Sequence, residues 1–511
     1  MKNMKKSSVL SFVLGLCLVV PGYAQLGAPA SGGGGSQGLQ LPLSGRSAQG
    51  GSATATQTAI PGTTTSVNTL NIGVSVQGPY AGSTTTGSAA FSGKLTLAEA
   101  VQRALAHNMA ATGLAGAVRQ ARGQERSSRS VLMPNLNGAV RDNYFTQDLQ
   151  ALGIKIPNLP AVIGPTNYFD LRVTLTQGLA DLTAINNHRA TQEIVKANEQ
   201  AVKDARETIV LATGGAYLQV IAAKARVESA KAQLQTAKAL YEQTKQRREG
   251  GLVAQIDVNR SLVQQKTQTQ RIATLENDLA RQKINLARIA GLPANDQYDV
   301  LDSFDDSPAP HLAVEDAVKQ ALEAREDLKS AESQVRAAER TRAAAKAERL
   351  PSIGISADIG AIGPRASQVE HTYTVVGSIR IPIWQGGKAA GDLEQAEAVL
   401  GQRRAEVDDT RGRIESDVRN AFLDLQAAAS QLELAKQNQE LARETLRLTK
   451  TKFEAGISES LEVTQSEEAV ASSDLDRITS LFAYNLAKLS LARGLGQAEA
   501  RLGDFLKISG R

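Results

Sequence analysis

Apolar residues recur every seven positions along two long stretches of the chain. In the first stretch they are Val195, Val202, Ile209 and Ala216, and then, after a shift of four, Val220, Val227, Leu234 and Tyr241. In the second they are Leu400, Val407, Ile414 and Ala421, followed by Leu425, Leu432 and Leu446. An apolar repeat of seven held for this long predicts long helices packed as left-handed coiled coils. The first helix is expected from about Asn187 to Arg248, roughly 90 Å at about 1.5 Å per residue.

The second stretch is a degenerate copy of the first, and residues 95–291 as a whole recur as 312–496. Leu95, Val101, Val118 and Pro134 return 217 positions later as Leu312, Val318, Val335 and Pro351, and Val195, Gly251 and Val258 return 205 positions later as Leu400, Gly456 and Val463. A repeat this long indicates two copies of one large module rather than a solenoid. We expect the first copy at 94–306, the second at 307–498 and a C-terminal tail at 499–511. The second copy lacks about 12 residues between Pro351 and Leu400.

Alternating apolar residues before each long helix predict two strands in each copy. In the second copy Ile353, Ile355, Ala357 and Ile359 share one face, and Val375, Gly377, Ile379, Ile381 and Ile383 share one face of the next strand. The first copy alternates in the same way at Leu171, Val173 and Leu175. The connection between the strands is expected at 147–165 in the first copy and at 363–371 in the second, so the missing residues come from a hairpin connection.

Alternation over about 10 residues suits a membrane β-barrel and equally suits an ordinary half-buried hairpin. Four strands cannot close a barrel, because the smallest barrels have about eight. An open sheet in lipid would leave edge groups without hydrogen-bond partners. A membrane sheet therefore requires the chain to oligomerise, and three copies would supply about 12 strands.

Each long helical pattern is interrupted once, at corresponding glycines. The interruptions read GLVAQIDV at 251–258 and GISESLEV at 456–463. A glycine followed by a restarted helix predicts a tight helix–turn–helix tip. Each copy should therefore end in a coiled-coil hairpin.

The N-terminus is typical of an exported protein. Three lysines precede an apolar run from Val9 to Val20, and small residues allow cleavage after Ala24, so 1–24 is interpreted as a signal peptide. Cys17, the only cysteine, lies within it, and lipidation there is disfavoured because Leu16 is large. Residues 25–93 are dominated by Gly, Ser, Thr, Ala and Gln, which predicts a disordered extension.

Charge and chemistry exclude several classes of function. Removing Lys2, Lys5 and Lys6 with the signal peptide lowers the formal net charge from +5 to +2, and the remaining charges interleave, so no nucleic-acid partner is expected. No apolar run of about 18 residues follows the signal, so no membrane-spanning helix is expected. The four histidines have no metal-ligand spacing. We expect no enzyme, no metal and no cofactor.

At three motifs the chain resembles the TolC family of outer-membrane efflux proteins. The motifs are IPIWQGG at 381–387 and the two tip sequences, correctly ordered within the duplicated frame, and the resemblance covers about 95–496. The first copy departs from the pattern at its strand end, which reads QGLADLT at 177–183. The resemblance implies a mainly α protein with membrane β structure: a homotrimer whose 12-stranded barrel lies in outer-membrane lipid and continues as a periplasmic coiled-coil α-barrel.

The resemblance also implies site residues at the tips. In the family, rings of acidic side chains close the tunnel. Glu462 matches the first acid and Asp257 is its repeat equivalent, but Gln465 stands at the second acid and Ser458 at the gate arginine. One ring is therefore expected, while Phe453 is expected to pack the hairpin. An adaptor is expected to dock at Gly250, Gly251, Leu252, Val253, Gly456, Ile457 and Ser458.

The predicted function is that of a passive conduit exporting small molecules across the periplasm and outer membrane. The resemblance implies a periplasmic adaptor (membrane fusion) protein and an inner-membrane transporter of the RND, ABC or MFS type. One alternative keeps the conduit but exports polypeptides. An alternative of a different class is a coiled-coil structural surface protein without transport, which predicts no ion conductance.

Overall fold

The computed structural model describes residues 53–60, 69–84, 91, 93–151, 153, 160–293, 297–304, 306–310 and 312–506. All of them lie within one compact unit, Leu41–Arg511. The predicted signal peptide, its cleavage site and Cys17 fall outside the described residues.

The elements alternate between short helices, strands and very long helices. In chain order they are β1 (Ala53–Ile60), β2 (Thr69–Val76), a 3-10 turn (Gly78–Ala81), β3 (Gly93–Leu95), α1 (Leu97–His107), α2 (Met109–Ser130), β4 (Asn135–Asp148), β5 (Val162–Ala180), α3 (Leu182–Glu249), α4 (Gln255–Ala290), β6 (Tyr298–Val300), α5 (Val314–Ala324), α6 (Glu326–Ala347), β7 (Ser352–Arg365), β8 (Gln368–Arg380), α7 (Lys388–Glu454), α8 (Ser460–Gly494) and α9 (Leu502–Phe505).

The two copies have the same order of elements, as the duplication predicts. Each begins with a pair of short helices that meet at a buried polar residue, Asn108 in the first copy and Arg325 in the second. The Asn108 side chain accepts from the Ala110 N–H and so caps α2. Arg325 instead forms ion pairs with Asp327 at 2.7 Å and Asp417 at 2.9 Å. The same joint is therefore stabilised by a neutral cap in one copy and by charges in the other.

The predicted heptad seams lie inside the protein. In the second copy Leu400, Val407, Ile414, Ala421, Leu425 and Leu432 are all buried. In the first copy the central positions Ile209, Ala216, Val220 and Val227 are buried, while Leu234 and Tyr241 are half-buried. Each long helix packs along its hairpin partner, α3 on α4 and α7 on α8. The coiled-coil interpretation is confirmed.

The deepest core lies where the long helices cross the short elements. Here α3 is buried on all sides, and β3 pairs parallel to β6 beside it. The buried Tyr217 hydroxyl lies 2.8 Å from both the Leu95 carbonyl oxygen and an Asp302 carboxylate oxygen. By length and composition, an 18-residue stretch of α3 is apolar enough to cross a membrane, but 83% of it is buried in the protein. The expectation that no such apolar stretch follows the signal was wrong, and burial in this core accounts for its composition.

Four strands form one antiparallel sheet in the order β4-β5-β7-β8, so strands of different copies meet at β5 and β7. One face carries cross-strand apolar pairs: Leu136 with Leu175, Val140 with Leu171, Val173 with Ile359, and Ile353 with Ile379. The other face carries polar residues such as Arg172, Thr174, Asp358 and Ser378. The outward apolar face is exposed in the single chain, with Leu136 at 70% and Ile379 at 67%.

The hairpin connections differ as the offsets predict. Residues 149–161 connect β4 to β5, whereas only residues 366–367 connect β7 to β8. One detail of the prediction was wrong, since β8 ends at Arg380 and leaves Ile381 and Ile383 outside the strand. Arg380 pairs with Ser352, the first residue of β7, and Pro382 has no N–H to donate. Two left-handed glycines, Gly386 and Gly387, then lead into α7.

Part of the predicted disordered extension is ordered. Strands β1 and β2 pair antiparallel along their whole length, from Ala53 with Val76 to Ile60 with Thr69. The following residues attach to the first copy, where Met109 N–H donates to the Gly82 carbonyl and Thr84 N–H to the His107 carbonyl. The signal for β2 is in the sequence, because Leu70, Ile72, Val74 and Val76 alternate with polar or small residues. Averaging composition over 25–93 concealed it.

Candidate functional site at the helical tips

Both long helices end in the same local structure. The Gly251 and Gly456 backbones adopt φ of +75° and +74°, in the left-handed region. The next N–H reaches back five residues, from Leu252 to the Arg247 carbonyl at 2.8 Å and from Ile457 to the Lys452 carbonyl at 3.0 Å. This is the Schellman arrangement, which satisfies carbonyl groups at a helix end. It reverses the chain within a few residues and so forms the two predicted tips.

Backbone conformation, and not lack of space, requires glycine at these turns. A Cβ built on Gly251 or Gly456 would meet nothing within 4 Å. An L-residue in the left-handed region costs about 1–2 kcal/mol, and the cost is larger for a β-branched side chain. The tips are thus open surfaces whose shape depends on two glycines.

The predicted docking residues lie together at the tips and present apolar side chains to solvent. Leu252 is 77% exposed and its repeat equivalent Ile457 is 79% exposed. Gly250 is exposed, while Val253 and Ser458 are half-buried. Exposed large side chains at both turns suit contact with another protein. Their docking role stays a prediction.

The two predicted gate acids occupy equivalent places but have different surroundings. Each lies in the first turn of a helix, Asp257 in α4 and Glu462 in α8. Asp257 accepts a 2.8 Å hydrogen bond from Ser460, across the two copies. Glu462 is exposed and accepts a 2.6 Å hydrogen bond from Ser458, the residue at the position of the family's gate arginine. Asp257 is therefore held within the chain, whereas Glu462 remains at the surface; the gate role of both stays a prediction.

An arginine joins the two hairpins at the tips, and sequence reasoning missed it. The Arg247 guanidinium, from the end of α3, lies 4.4 Å from the centroid of the Phe453 ring in α7. It donates to the carbonyl oxygens of Phe453 at 2.9 Å and Glu454 at 3.2 Å, and so caps the C-terminus of α7. We call these contacts the Arg247 clasp. Its repeat equivalent, Lys452, is exposed.

Phe453 packs within the hairpins, as the sequence predicts. It is 3% exposed and lies in a cluster with Leu240 and Val463, against which Leu446 packs. The cluster joins α3 of the first copy to α7 and α8 of the second. The sequence signal for the clasp is weak, because an arginine near a helix end is common whatever it contacts.

The tips hold no arrangement typical of catalysis. Among the residues that the structure describes, no group of three or more His, Cys, Asp or Glu side chains could hold a metal ion. What the tips offer is a shaped apolar surface, a surface carboxylate and the Arg247 clasp between the two hairpins.

The chain resembles known proteins over most of its length. The family described as outer membrane efflux protein matches residues 100–292 and 317–497, one stretch within each copy. Outer membrane protein OprJ of Pseudomonas aeruginosa is 22% identical over 396 residues, covering 74% of this chain and 79% of OprJ. Outer membrane protein TolC of Escherichia coli is 22% identical over 386 residues, covering 72% of this chain and 76% of TolC.

Solved structures share the fold at low sequence identity. The crystal structure of a membrane protein from Pseudomonas aeruginosa gives a TM-score of 0.70 at 20% identity, covering 80% of this chain and 92% of that protein. The outer membrane protein VceC of Vibrio cholerae gives 0.68 at 19% identity, covering 78% of this chain and 96% of VceC. The duplicated strand–strand–helical-hairpin architecture is therefore a known one.

Replacing Arg247 by alanine should loosen the tips. The variant loses two charge-assisted hydrogen bonds and the ring contact, and bonds to charged groups contribute about 1.5–3 kcal/mol. We expect amide hydrogen exchange in residues 452–458 to accelerate about tenfold or more. Arg248→Ala is the matched control, because Arg248 is adjacent and exposed. Equal exchange in the two variants would show that the clasp does not hold the hairpins together.

Proposed function

The chain belongs to the outer membrane efflux protein family, and on that premise we propose that it is the outer-membrane channel of a tripartite efflux or type I secretion system. It serves as a passive conduit through which small molecules cross the periplasm and the outer membrane. The observation that carries this proposal is the four-stranded sheet, apolar on one face and polar on the other, which leads directly into coiled-coil hairpins.

The sheet has the character of one third of a membrane barrel. Its apolar face suits lipid, and the outer edges of β4 and β8 pair with no other strand in the described part of the chain. In lipid each unpaired edge group costs several kcal/mol, so β8 of one protomer must pair with β4 of the next. Three protomers give about 12 strands around a hydrated lumen. On the lumen face Arg172 forms ion pairs with both Asp170 and Asp358, which leaves this group of three side chains one negative charge in excess.

The helices supply the template for closing the tunnel wall. Within one chain, α3 of the first copy packs against α6 of the second. Ser330 donates to the Ala197 carbonyl at 2.8 Å, and Arg336 pairs with Glu193 at 2.9 Å. Small buried side chains such as Ala337 let the two helices approach closely. This interface joins unlike copies of the module.

The equivalent faces of α2 and α7 lack a partner helix of that kind within the described chain. The α2 residues that lie 217 positions before those of the α6 face are Gly113, Gly116, Gln120, Gly123 and Ser127. The α7 residues that lie 205 positions after those of the α3 face are Gln395, Ala398, Gln402 and Ala405. These residues are half-buried or exposed. Both sets are spaced by three and four, as a helix–helix seam requires. We call these two sets of residues the ring seam. In the proposed trimer α7 of one protomer packs on α2 of the next, and this head-to-tail contact closes into a ring.

The tips complete the proposed conduit. A periplasmic adaptor docks on the exposed Leu252 and Ile457, and an inner-membrane transporter supplies the energy. At the tunnel axis three Glu462 carboxylates form one ring that attracts cations and repels anions. The lumen, and not a pocket, handles the cargo. The alternative of a structural coiled-coil protein does not explain why one face of the sheet is apolar and exposed.

Purified trimer in a planar lipid bilayer should conduct ions. The wild-type protein is expected to have a low conductance and to be selective for cations. Glu462→Ala should have a higher conductance and a weaker cation selectivity because the acidic ring is gone. Glu459→Ala is the matched control, an exposed acid three residues away. A bilayer-inserted trimer without a channel, even as Glu462→Ala, would contradict the conduit.

Replacing both tip glycines by valine should abolish drug export while leaving the trimer assembled. Valine is β-branched and resists the left-handed backbone that each turn needs. The matched control replaces both glycines by asparagine, which tolerates that backbone and adds a side chain of similar size. Export is measured as the drug concentration that stops growth of a deletion strain carrying each variant. Normal export by the double valine variant would refute docking at the tips.

A leucine in the ring seam should prevent assembly. A Cβ on Gly116 meets nothing within 4 Å inside the chain, so a side chain can begin there without a clash in the protomer, and we expect Gly116→Leu to obstruct the neighbouring helix instead. Ala115→Leu is the matched control, because Ala115 is exposed on α2 but lies about 100° from the seam. The mass of the detergent complex, measured by light scattering, should be that of a monomer for the first variant and a trimer for the second. A trimeric Gly116→Leu would show that α2 and α7 do not meet.

A further inference from the structure

Exposed apolar and basic residues lie together where the strands of the sheet join the long helices. They occupy residues 126–134, 179–182, 346–350 and 381–388, which we call the junction band. Within it Ile383 is 95% exposed, and Trp384, the only tryptophan of the chain, is 86% exposed. A tryptophan side chain has a large apolar ring and one N–H donor, so it is suited to the boundary between lipid and water.

Both copies place the same kinds of residue in the junction band. The equivalent pairs are Arg129 with Lys346, Met133 with Leu350, and Leu179 with Trp384. All six side chains are exposed in the single chain. The same combination of one basic and two apolar residues therefore occurs twice, once at the end of each strand pair.

Contacts at the start of α7 bring the basic and apolar segments of the second copy together. The Gln385 side chain, next to Trp384, donates to the Glu348 carbonyl oxygen at 3.5 Å. The Lys388 ammonium pairs with the Glu348 carboxylate at 2.8 Å. Because Arg349 follows Glu348 directly, an exposed basic residue and Trp384 lie on adjacent segments.

The junction band carries an excess of positive charge. It contains five basic and two acidic residues, a net charge of +3 per chain. Arg126, Arg129, Lys346 and Arg349 are exposed, and none of them forms an ion pair with another residue that the structure describes. Exposed cations beside exposed apolar side chains suit a partner that is both anionic and amphipathic.

In the proposed ring the cations of α2 face outwards. The buried Val118 and Ala121 face α3, against which α2 packs, while the ring seam faces the next protomer. At about 100° per residue, these two directions are about 150° apart on one side of α2 and about 210° apart on the other. The wider side of a helix in a closed ring is the outer one. Arg126 and Arg129 lie on that side, and so they point away from the lumen.

We propose that the junction band binds the phosphate headgroups of anionic phospholipids in the periplasmic leaflet of the membrane. This inference rests on the proposed function, which places the apolar face of the sheet in lipid. The band continues that face towards the helices, so Trp384 lies at the lipid boundary while Lys346 and Arg349 pair with lipid phosphate. Arg126 and Arg129 form the equivalent site in the first copy.

The experiment uses the fluorescence of Trp384, which reports this band alone because the chain has no other tryptophan. The whole trimer is reconstituted in phosphatidylcholine vesicles that contain a small fraction of brominated lipid, which quenches tryptophan on contact. Brominated phosphatidylglycerol should quench about twice as strongly as the same fraction of brominated phosphatidylcholine, because the basic residues recruit the anionic headgroup. High salt should reduce this difference, since it screens the charges.

The double variant Lys346→Gln, Arg349→Gln should lose most of this preference for the anionic lipid, although both lipids should still quench Trp384. The matched control is the double variant Lys238→Gln, Lys245→Gln, which removes two exposed lysines of α3 near the tips. The control should keep the preference of the wild type.

Absence of quenching by both brominated lipids would show that Trp384 does not reach lipid and would overturn the proposal. Equal quenching by the two lipids in the wild type would overturn it as well. So would a preference that the Lys346→Gln, Arg349→Gln variant retains. If that variant does not assemble, the wild type decides, because a preference that survives high salt contradicts recognition by charge. A trimer that conducts ions but shows no lipid preference fails this proposal alone and leaves the conduit intact.

Discussion

The unpaired edges of the four-stranded sheet are the constraint on which the rest of the structure depends. A sheet with one apolar face is suited to lipid, but lipid cannot satisfy the backbone groups of β4 and β8. A second protomer of the same chain can satisfy them if β4 of one protomer pairs with β8 of the next. When successive protomers close into a barrel in this way, the long helices that follow the strands must also form a ring. The barrel therefore imposes the tunnel, and the hairpins inherit their arrangement from the strands.

Because the module is duplicated, the contacts that close the ring can repeat contacts already made within one chain. Inside the chain, β5 meets β7 and α3 meets α6, each contact joining the first copy to the second. In the proposed trimer, β8 of one protomer meets β4 of the next and α7 meets α2, which is the same contact with the copies exchanged. One kind of interface would therefore serve within and between chains, and small residues such as Gly113 and Gly116 lie on the face proposed to meet the neighbouring protomer. The N-terminal residues Gly82 and Thr84 stabilise the α1–α2 joint from outside the duplicated frame, which is why the repeat itself did not reveal them.

The sequence predicted what periodicity controls and missed what single side chains decide. Heptads located the buried Leu400, Val407 and Ile414, and paired glycines located both tips, because backbone geometry and burial repeat along the chain. Ile381 and Ile383 continue the alternation of β8, yet pairing stops at Arg380 because the neighbouring strand begins at Ser352. The Arg247 clasp depends on residues about 200 positions apart. No local pattern reports such contacts.

The two copies differ in the side-chain contacts that their hairpins make near the tips. Asp257 is held by Ser460, whereas its equivalent Glu462 stays at the surface. Arg247 contacts the neighbouring hairpin, whereas its equivalent Lys452 is exposed. Six equivalent hairpins would all make the same contacts. With distinct hairpins, the contacts that join the pair within a chain, Ser460 with Asp257 and Arg247 with Phe453, are separate from the exposed Glu462 carboxylate.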